Sequence, residues 1–328
     1  MTDAAALLIG SVPLATRVFT APMAGFSDLP FRTIVRELGR CCPEGEMVSA
    51  NPDLLESDES LRKISFGAEP SPRIAQLLGG HPAWMANAAR YVISKGADLV
   101  DINMGCPAKK VCKTECGSAL MRNETLALSI IQAVVKASTV PVMLKMRTGW
   151  DEDCRNAPRI AAAAQEAGVS LITVHGRTRV QGYSDLAEYR TIREVKAAVS
   201  IPVIANGDID SPQKALAVLE ESGADGVMSG RGVLGNPWLA GRIDAVLSGH
   251  PDPGEPDAEE RLRVILRHFA LHLAFYGEAH GIRTFRKHLL WYLKRVPGGE
   301  AFARGLLSLQ APSEVKEKLA GFFNAAHS

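Results

Sequence analysis

A thiol between Gly105 and Pro107, at the end of an apolar run that opens at Leu99, is the side chain best placed in this sequence to do chemistry. Asp101-Ile102-Asn103-Met104-Gly105-Cys106-Pro107 reads as a buried strand that stops abruptly and presents Cys106 to a pocket. Glycine permits backbone conformations that a side chain forbids, and proline fixes the following φ and withholds an amide, so the turn is expected to be stiff. A cysteine there can give or take a proton; in bland surroundings it would be only a small buried hydrophobe. Its surroundings are not bland. The ends of the other apolar runs are Met23-Ala24, Gln76, Lys145 with Arg147, His175 with Arg177, Asn206-Gly207-Asp208 and Gly230-Arg231-Gly232, nearly all of them polar. The last of these, with Leu234-Gly235-Asn236 and a helix start near Pro237, offers amides, a guanidinium and a helix N-terminus, which suit a phosphate. Lys145 could set positive charge beside an anionic ring such as a reduced flavin, and His175 could hydrogen-bond the ring or a substrate carbonyl.

These residues converge only if the elements bring them together. Short β-branched runs alternate with helical patterns eight times: Val18–Met23, Glu46–Ser49, Arg73–Leu78, Leu99–Asn103, Val140–Lys145, Leu171–Val174, Pro202–Ala205 and Gly226–Ser229. Between them, Ser27 or Asp28 caps a first helix, His81–Gly96 turns Trp84, Ala88, Tyr91 and Val92 to one side, Asn123 caps another, and a helix spans about Leu186 to Ala198. Ser211-Pro212 opens and Gly223 closes the helix before the eighth strand. Eight such units in about 240 residues are the rhythm of a (β/α)8 TIM barrel. An open doubly wound sheet would place a glycine fingerprint after its first strand, and Pro22-Met23-Ala24-Gly25 lacks it. In a barrel, the loops after the strands build the active site, and those after strands seven and eight take phosphate.

The chain has 328 residues, 46% hydrophobic and 22% charged, with a net charge of +1, as expected for a globular protein with one large and one smaller domain. The expected division is residues 1–245 for a catalytic barrel and 255–328 for a helical domain. No apolar run reaches the ~18 residues of a membrane span. Met1–Ile9 carries Asp3 and no basic segment, which argues against a secretory signal and for the cytoplasm. Cys106, Cys112 and Cys116 cluster, but their spacing fits neither zinc nor iron–sulfur ligation, and no metal is expected.

Taken together, Ala21-Pro22-Met23-Ala24-Gly25, the Asp101–Pro107 run, Lys145-Met146-Arg147-Thr148-Gly149-Trp150, His175-Gly176-Arg177-Thr178-Arg179, Asn206-Gly207-Asp208 and Gly230-Arg231-Gly232 resemble the tRNA-dihydrouridine synthases, motif by motif and in family order. The tail, Tyr276-Gly277 through Arg286-Lys287-His288 and Trp291-Tyr292, is similar to the B subfamily. The resemblance covers essentially the whole chain. It implies an FMN enzyme that uses NADPH to reduce a uridine of the tRNA D-loop, position 17 by subfamily, to 5,6-dihydrouridine. By position, Pro22, Met23, Ala24, Gln76, Lys145, His175, Asn206, Gly207, Asp208, Gly230 and Arg231 would hold FMN. Cys106 would protonate C5 after hydride reaches C6 of the uracil, and Asn103 would hydrogen-bond the base. A free thiol with a pKa near ~8.5 is mostly protonated at neutral pH, as that task needs. The base would be flipped into the pocket. One stretch departs from the family: Lys113–Leu120 replaces glycine-rich sequence and brings Cys112 and Cys116 near the active loop.

After Gly249–Gly254 the strand rhythm ends. From Arg261 to Arg304 there are nine Lys/Arg and two acidic residues, a basic helical part hidden in a neutral whole. Phe285, Leu289, Tyr292, Leu293 and Val296 share one helical side, and Arg283, Arg286, Lys287 and Lys294 the other. With Lys109, Lys110, Arg147, Arg177 and Arg179 at the barrel mouth, a basic path for RNA is expected. Two alternatives stand beside it: an FMN barrel acting on a free pyrimidine or enone, which leaves the basic tail without a task, and a binding protein without catalysis, which would have no need of Cys106 and Lys145.

Overall fold

Eight parallel strands form a closed ring: β1 (Val18–Thr20), β2 (Cys42–Pro43 and Val48–Ser49), β3 (Ile74–Leu78), β4 (Leu99–Met104), β5 (Val142–Arg147), β6 (Leu171–His175), β7 (Val203–Asn206) and β8 (Gly226–Ser229). This computed structural model describes residues 7–325; most of the Met1–Ile9 stretch that argues against a secretory signal lies outside the described residues, as do the last three. β8 returns to β1 with Val227 opposite Val18, so the sheet meets itself. β2 is where the sequence misleads. Its first half pairs with β1, its second half with β3, and between them Glu44 bridges to Ile74. The expected Glu46–Ser49 strand is only the second half, because Pro43, lacking an amide, and Gly45 interrupt the ladder.

Side chains alternate along a strand, and here the alternation sorts chemistry by height in the barrel. In β5, Val142, Leu144 and Met146 pack outward against the helices, while Met143, Lys145 and Arg147 take the inward phase. The floor of the interior is apolar: Phe19, Ile74, Leu99, Met143, Leu171, Ile204 and Met228 form one cluster. Ile9 and Leu14, from a hairpin of Leu8–Ile9 and Val12–Pro13 that the sequence reading missed, are fully buried in it. One strand position higher, the same inward phase delivers Gln76, Asp101, Lys145, Thr173 and Asn206.

Helices between the strands follow their signals closely. Asp28 caps Leu29–Glu37 by accepting from the Phe31 amide at 3.0 Å, Asn123 caps Glu124–Ala137, and Ser211 and the left-handed Gly223 bracket Pro212–Ser222. Two expectations shift. The Pro82–Ser94 helix buries Met85, Ala88, Ala89 and Val92 and leaves Trp84 largely exposed. The helix expected from Leu186 begins at Arg190, and Leu186 projects from the preceding loop.

Helices Ala258–Tyr276, Glu278–Leu293, Gly299–Leu306 and Pro312–Ala325 make the C-terminal helical domain. Its core of Phe269, Phe285, Leu289, Leu293, Leu319 and Phe323 continues into Ile34 and Trp238 of the barrel layer. The linker is held down as well: Arg242 pairs with Asp252 and Glu255, and Arg261 with Glu255. No helix among the described residues is long and apolar enough to cross a membrane.

Candidate active site

A cavity of about 590 Å³ opens at the C-terminal rim of the barrel. Pro22 and Met23, Lys145, His175, Asn206-Gly207-Asp208 and Gly230-Arg231 all line it, from five strand ends. Ala24 does not; it lies exposed one residue further along the first loop. The wall also contains residues to which the sequence assigned no part in the site: Tyr183, Leu186, Asp210, Trp291 and Arg295. Trp291 and Arg295 come from the helical domain, so the cavity is completed across the two parts of the chain. Only the run of family motifs ahead of Trp291 could have hinted at it.

Lys145 donates to Asn206 Oδ1 at 3.1 Å, and Asn206 Nδ2 donates to the Met228 carbonyl, which fixes that amide's orientation. Below lie two fully buried acids, Glu44 and Asp101. Burial, with Asp101 nearby, pushes Glu44 well above the carboxylate range, and burial raises Asp101 to about 7. Burial also lowers Lys145, against the pull of both acids. A lone acid between Pro43 and Gly45 was the available signal for Glu44. His175 is driven well below its ordinary value by burial and by the cations around it, Lys145 first. Its Nε2 faces Arg177 Nη1 at 3.3 Å, and since a guanidinium can only donate, Nε2 accepts and the neutral ring carries its proton on Nδ1.

Cys106, Asn103 and Gln76 stand beside this cavity, at the neighbouring ends of β4 and β3. Asn103 Oδ1 accepts from the amides of Gly105 and Cys106 at 3.1 and 2.9 Å, while its Nδ2 donates to Gln76 Oε1 at 2.7 Å. Gln76 Nε2 in turn donates to Asp101 at 2.7 Å. Asn103 thus holds the cysteine turn through its oxygen and spends one of its two amide hydrogens on Gln76. The stiffness comes from this chain and from Arg147, which donates to the Gly105 carbonyl at 2.8 Å. Gly105 itself keeps a negative φ, and a Cβ there would meet nothing closer than 3.6 Å. The glycine that the turn requires is Gly117: its φ is +59°, and a Cβ would fall 2.8 Å from the Cys106 carbonyl. That carbonyl also accepts from the Ser118 amide and hydroxyl. Burial holds the Cys106 thiol above its ordinary value, against the Ala108 amide, so it keeps its proton.

The cations divide into two groups. Arg147 and Arg177, expected at the RNA surface, are 1% and 2% exposed. Arg147 donates to Gly105, Thr178 and Gly182 carbonyls, and Arg177 to Ser184, Asp185 and the Asp208 carboxylate. Both tie loops together because three or more acceptors surround each fork. Asp208 is spent likewise, accepting from Arg177 and from the Ala187 amide. Arg231, by contrast, keeps half its side chain exposed beside Tyr183. The helix expected near Pro237 starts at Leu239; the amide-bearing turn in the wall is Arg231–Val233, entered through Gly230, where a Cβ would meet only Ala21 at 3.6 Å. Lys109, Lys110 and Arg283 are exposed, and Arg179 is half-buried over Trp150. Lys287 lies over the Phe26 ring, and Arg286 leans back to the Leu309 carbonyl.

The barrel, with a neutral histidine, a buried lysine and a phosphate-suited turn around one rim cavity and a protonated thiol beside it, defines a class: a TIM-barrel oxidoreductase. A family model described as dihydrouridine synthase matches residues 19–327. The chain belongs to that family. It is 46% identical to a tRNA-dihydrouridine synthase B of Xanthomonas axonopodis pv. citri, across 97% of this chain and 96% of that one, and 47% identical to one of Pseudomonas aeruginosa, across 92% and 91%. A probable tRNA-dihydrouridine synthase of Rickettsia bellii is 42% identical across 97% and 98%. Among solved structures, a morphinone reductase mutant in complex with tetrahydroNAD superposes with a TM-score of 0.56 at 14% identity, covering 74% of this chain and 90% of that one. A 2-naphthoyl-CoA reductase gives 0.57 at 12%, covering 76% and 52%. Both share the barrel fold.

Proposed function

We propose that this protein reduces a uridine in the D-loop of tRNA, position 17 by its similarity to B-type relatives, to 5,6-dihydrouridine, with FMN as cofactor and NADPH as reductant. The observation that carries this reading is the placement of a rigidly held, protonated thiol one strand away from a cavity suited to a phosphorylated ring. The cavity fits FMN by its donor set: the Gly230–Gly232 turn and Arg231 for phosphate, Lys145 for an anionic ring, and neutral His175 for a ring acceptor. A flavin held by these residues and reduced by NADPH would supply the hydride that C6 of the uracil takes.

The chain's own part is to protonate C5. Cys106 does so from the fixed turn set by Asn103, Arg147 and Gly117, and its thiolate is then reprotonated from solvent, to which the half-buried residue has access. Tyr183 and Trp291 line the rim as the aromatic side chains that an extruded nucleotide would meet. Residues 1–245 are assigned to catalysis and 255–328 to tRNA, with Lys109, Lys110, Arg179, Arg283 and Lys287 as the phosphate contacts.

The test is Cys106→Ala assayed on tRNA lacking dihydrouridine. The expected protein binds FMN and is reduced by NADPH at the wild-type rate, yet forms less than about 1% of the wild-type product, in line with the 10²–10⁴-fold worth of a positioned acid. Near-normal dihydrouridine output would move the proton to another group. Wild-type turnover of free uridine but not of tRNA would favour an enzyme of small substrates.

A further inference from the structure

Away from the rim, where the helical domain meets the first barrel helix, three histidines and an aspartate converge in the dark of the core. His268 and His272 lie one turn apart on Ala258–Tyr276, His288 on Glu278–Leu293, and Asp28 caps Leu29–Glu37. All are essentially inaccessible, at 0%, 0%, 2% and 3%. One ring nitrogen of each histidine lies within 4.8 Å of the others, and Asp28 Oδ2 is 3.3 Å from His272 Nδ1. Of the polar atoms there, His268 Nε2 and His288 Nε2 have no hydrogen-bond partner, while His272 Nδ1 and Asp28 Oδ2 are turned toward each other. Buried polar atoms are almost always satisfied in folded proteins, so two unpartnered ring nitrogens beside a buried carboxylate call for an occupant.

The outward-facing nitrogens are organised for one. His268 Nδ1 lies 3.1 Å from the Tyr292 hydroxyl and His272 Nε2 2.8 Å from the Thr284 hydroxyl, leaving the opposite nitrogens free to ligate. Such outer hydrogen bonds fix ring orientation and tautomer in metal sites.

We propose that Asp28, His268, His272 and His288 bind a divalent cation, Zn²⁺ by ligand type, as a closed structural site that clamps the helical domain to the barrel. Three imidazoles and one carboxylate are a tetrahedral zinc set. Zinc–nitrogen bonds of about 2.0–2.1 Å put the nitrogens about 3.4 Å apart, so the rings must draw in by up to about 1.4 Å from their 4.8 Å spread. The carboxylate bonds an ion across the boundary that Phe31, Ile34 and Phe285 already pack. The cysteine spacing gave no reason to expect a metal; these ligands are scattered over 260 residues of sequence and meet only in the fold.

The experiment measures metal in tag-free, full-length protein before and after incubation with ZnCl₂ and desalting. The expected content is about one zinc per chain, falling at least about tenfold in His272→Gln and His288→Gln. Replacement by Co²⁺ should give a tetrahedral ligand-field band without the near-ultraviolet charge transfer of thiolate ligands. Less than about a tenth of a zinc per loaded chain overturns the proposal, as does zinc that persists at wild-type level in both variants. Should the variants not fold, the cobalt spectrum of the wild type decides: a nitrogen–oxygen band supports the site, and a thiolate band, from Cys112 and Cys116 for example, overturns it.

Discussion

A general acid is useful only while it still holds its proton. Burial raises the pKa of Cys106, so its protonated form persists above the ordinary thiol value near ~8.5 and is lost only as the pH climbs through the raised one. Reduction of tRNA by pre-reduced enzyme should therefore be level through neutrality and decline on an alkaline limb lying above pH ~8.5, while NADPH oxidation shows no such limb. A single-turnover pH profile checks this, and a limb centred below pH ~8 would mean that the thiol acts as a nucleophile or not at all. Sequence placed Cys106 at this strand end and read the turn as rigid. It credited Gly105, whereas Asn103, Gln76 and Arg147 do the holding, because hydrogen-bond partners 42 residues apart in sequence are visible only once β4 and β5 are side by side.

At the scale of elements, the helical domain is seated by backbone contact. Gly235, with φ +65°, brings the loop after β8 so close to the Glu278–Leu293 helix that a Cβ would fall 2.1 Å from the Trp291 carbonyl. Gly235→Ala combines left-handed strain with a clash against backbone, together about 3 kcal/mol or more. Thermal unfolding should shift down by roughly 5 °C, and Trp291 should be displaced from the cavity wall. An unchanged melting temperature would show that the two parts separate without cost. Strand positions were legible because every β5 residue that packs outward is apolar and the inward ones change from Met143 to Lys145 to Arg147. The split of β2 was not, since a two-residue strand has too little pattern to read, and the His268–His288 cluster was not, since helical phase predicts burial without predicting what meets inside.

The whole molecule is close to neutral, and among its exposed cations Lys109 and Lys110 flank the thiol loop while Arg283 sits on the helical domain. If these three neutralise tRNA phosphates, replacing all with Ala should flatten the plot of log affinity against log salt by about 2–3, at roughly 0.7–0.9 per contact. Binding titrations at several salt concentrations test it, with NADPH oxidation as the control that stays put. An unchanged slope would send the RNA along another face. Arg147 and Arg177 are not candidates for this set, since their guanidiniums are consumed within the barrel loops.

The hairpin of Leu8–Ile9 and Val12–Pro13 has a bearing on timing. By pressing Ile9 and Leu14 into the apolar floor, it makes the barrel a cup whose opening is the rim that Trp291 overhangs. On the proposed function, an electron donor and a flipped base would both reach the flavin ring through this rim and would compete for it. The closed floor thus makes the proposed cycle a turnstile, in which the spent donor would depart before the RNA commits its nucleotide.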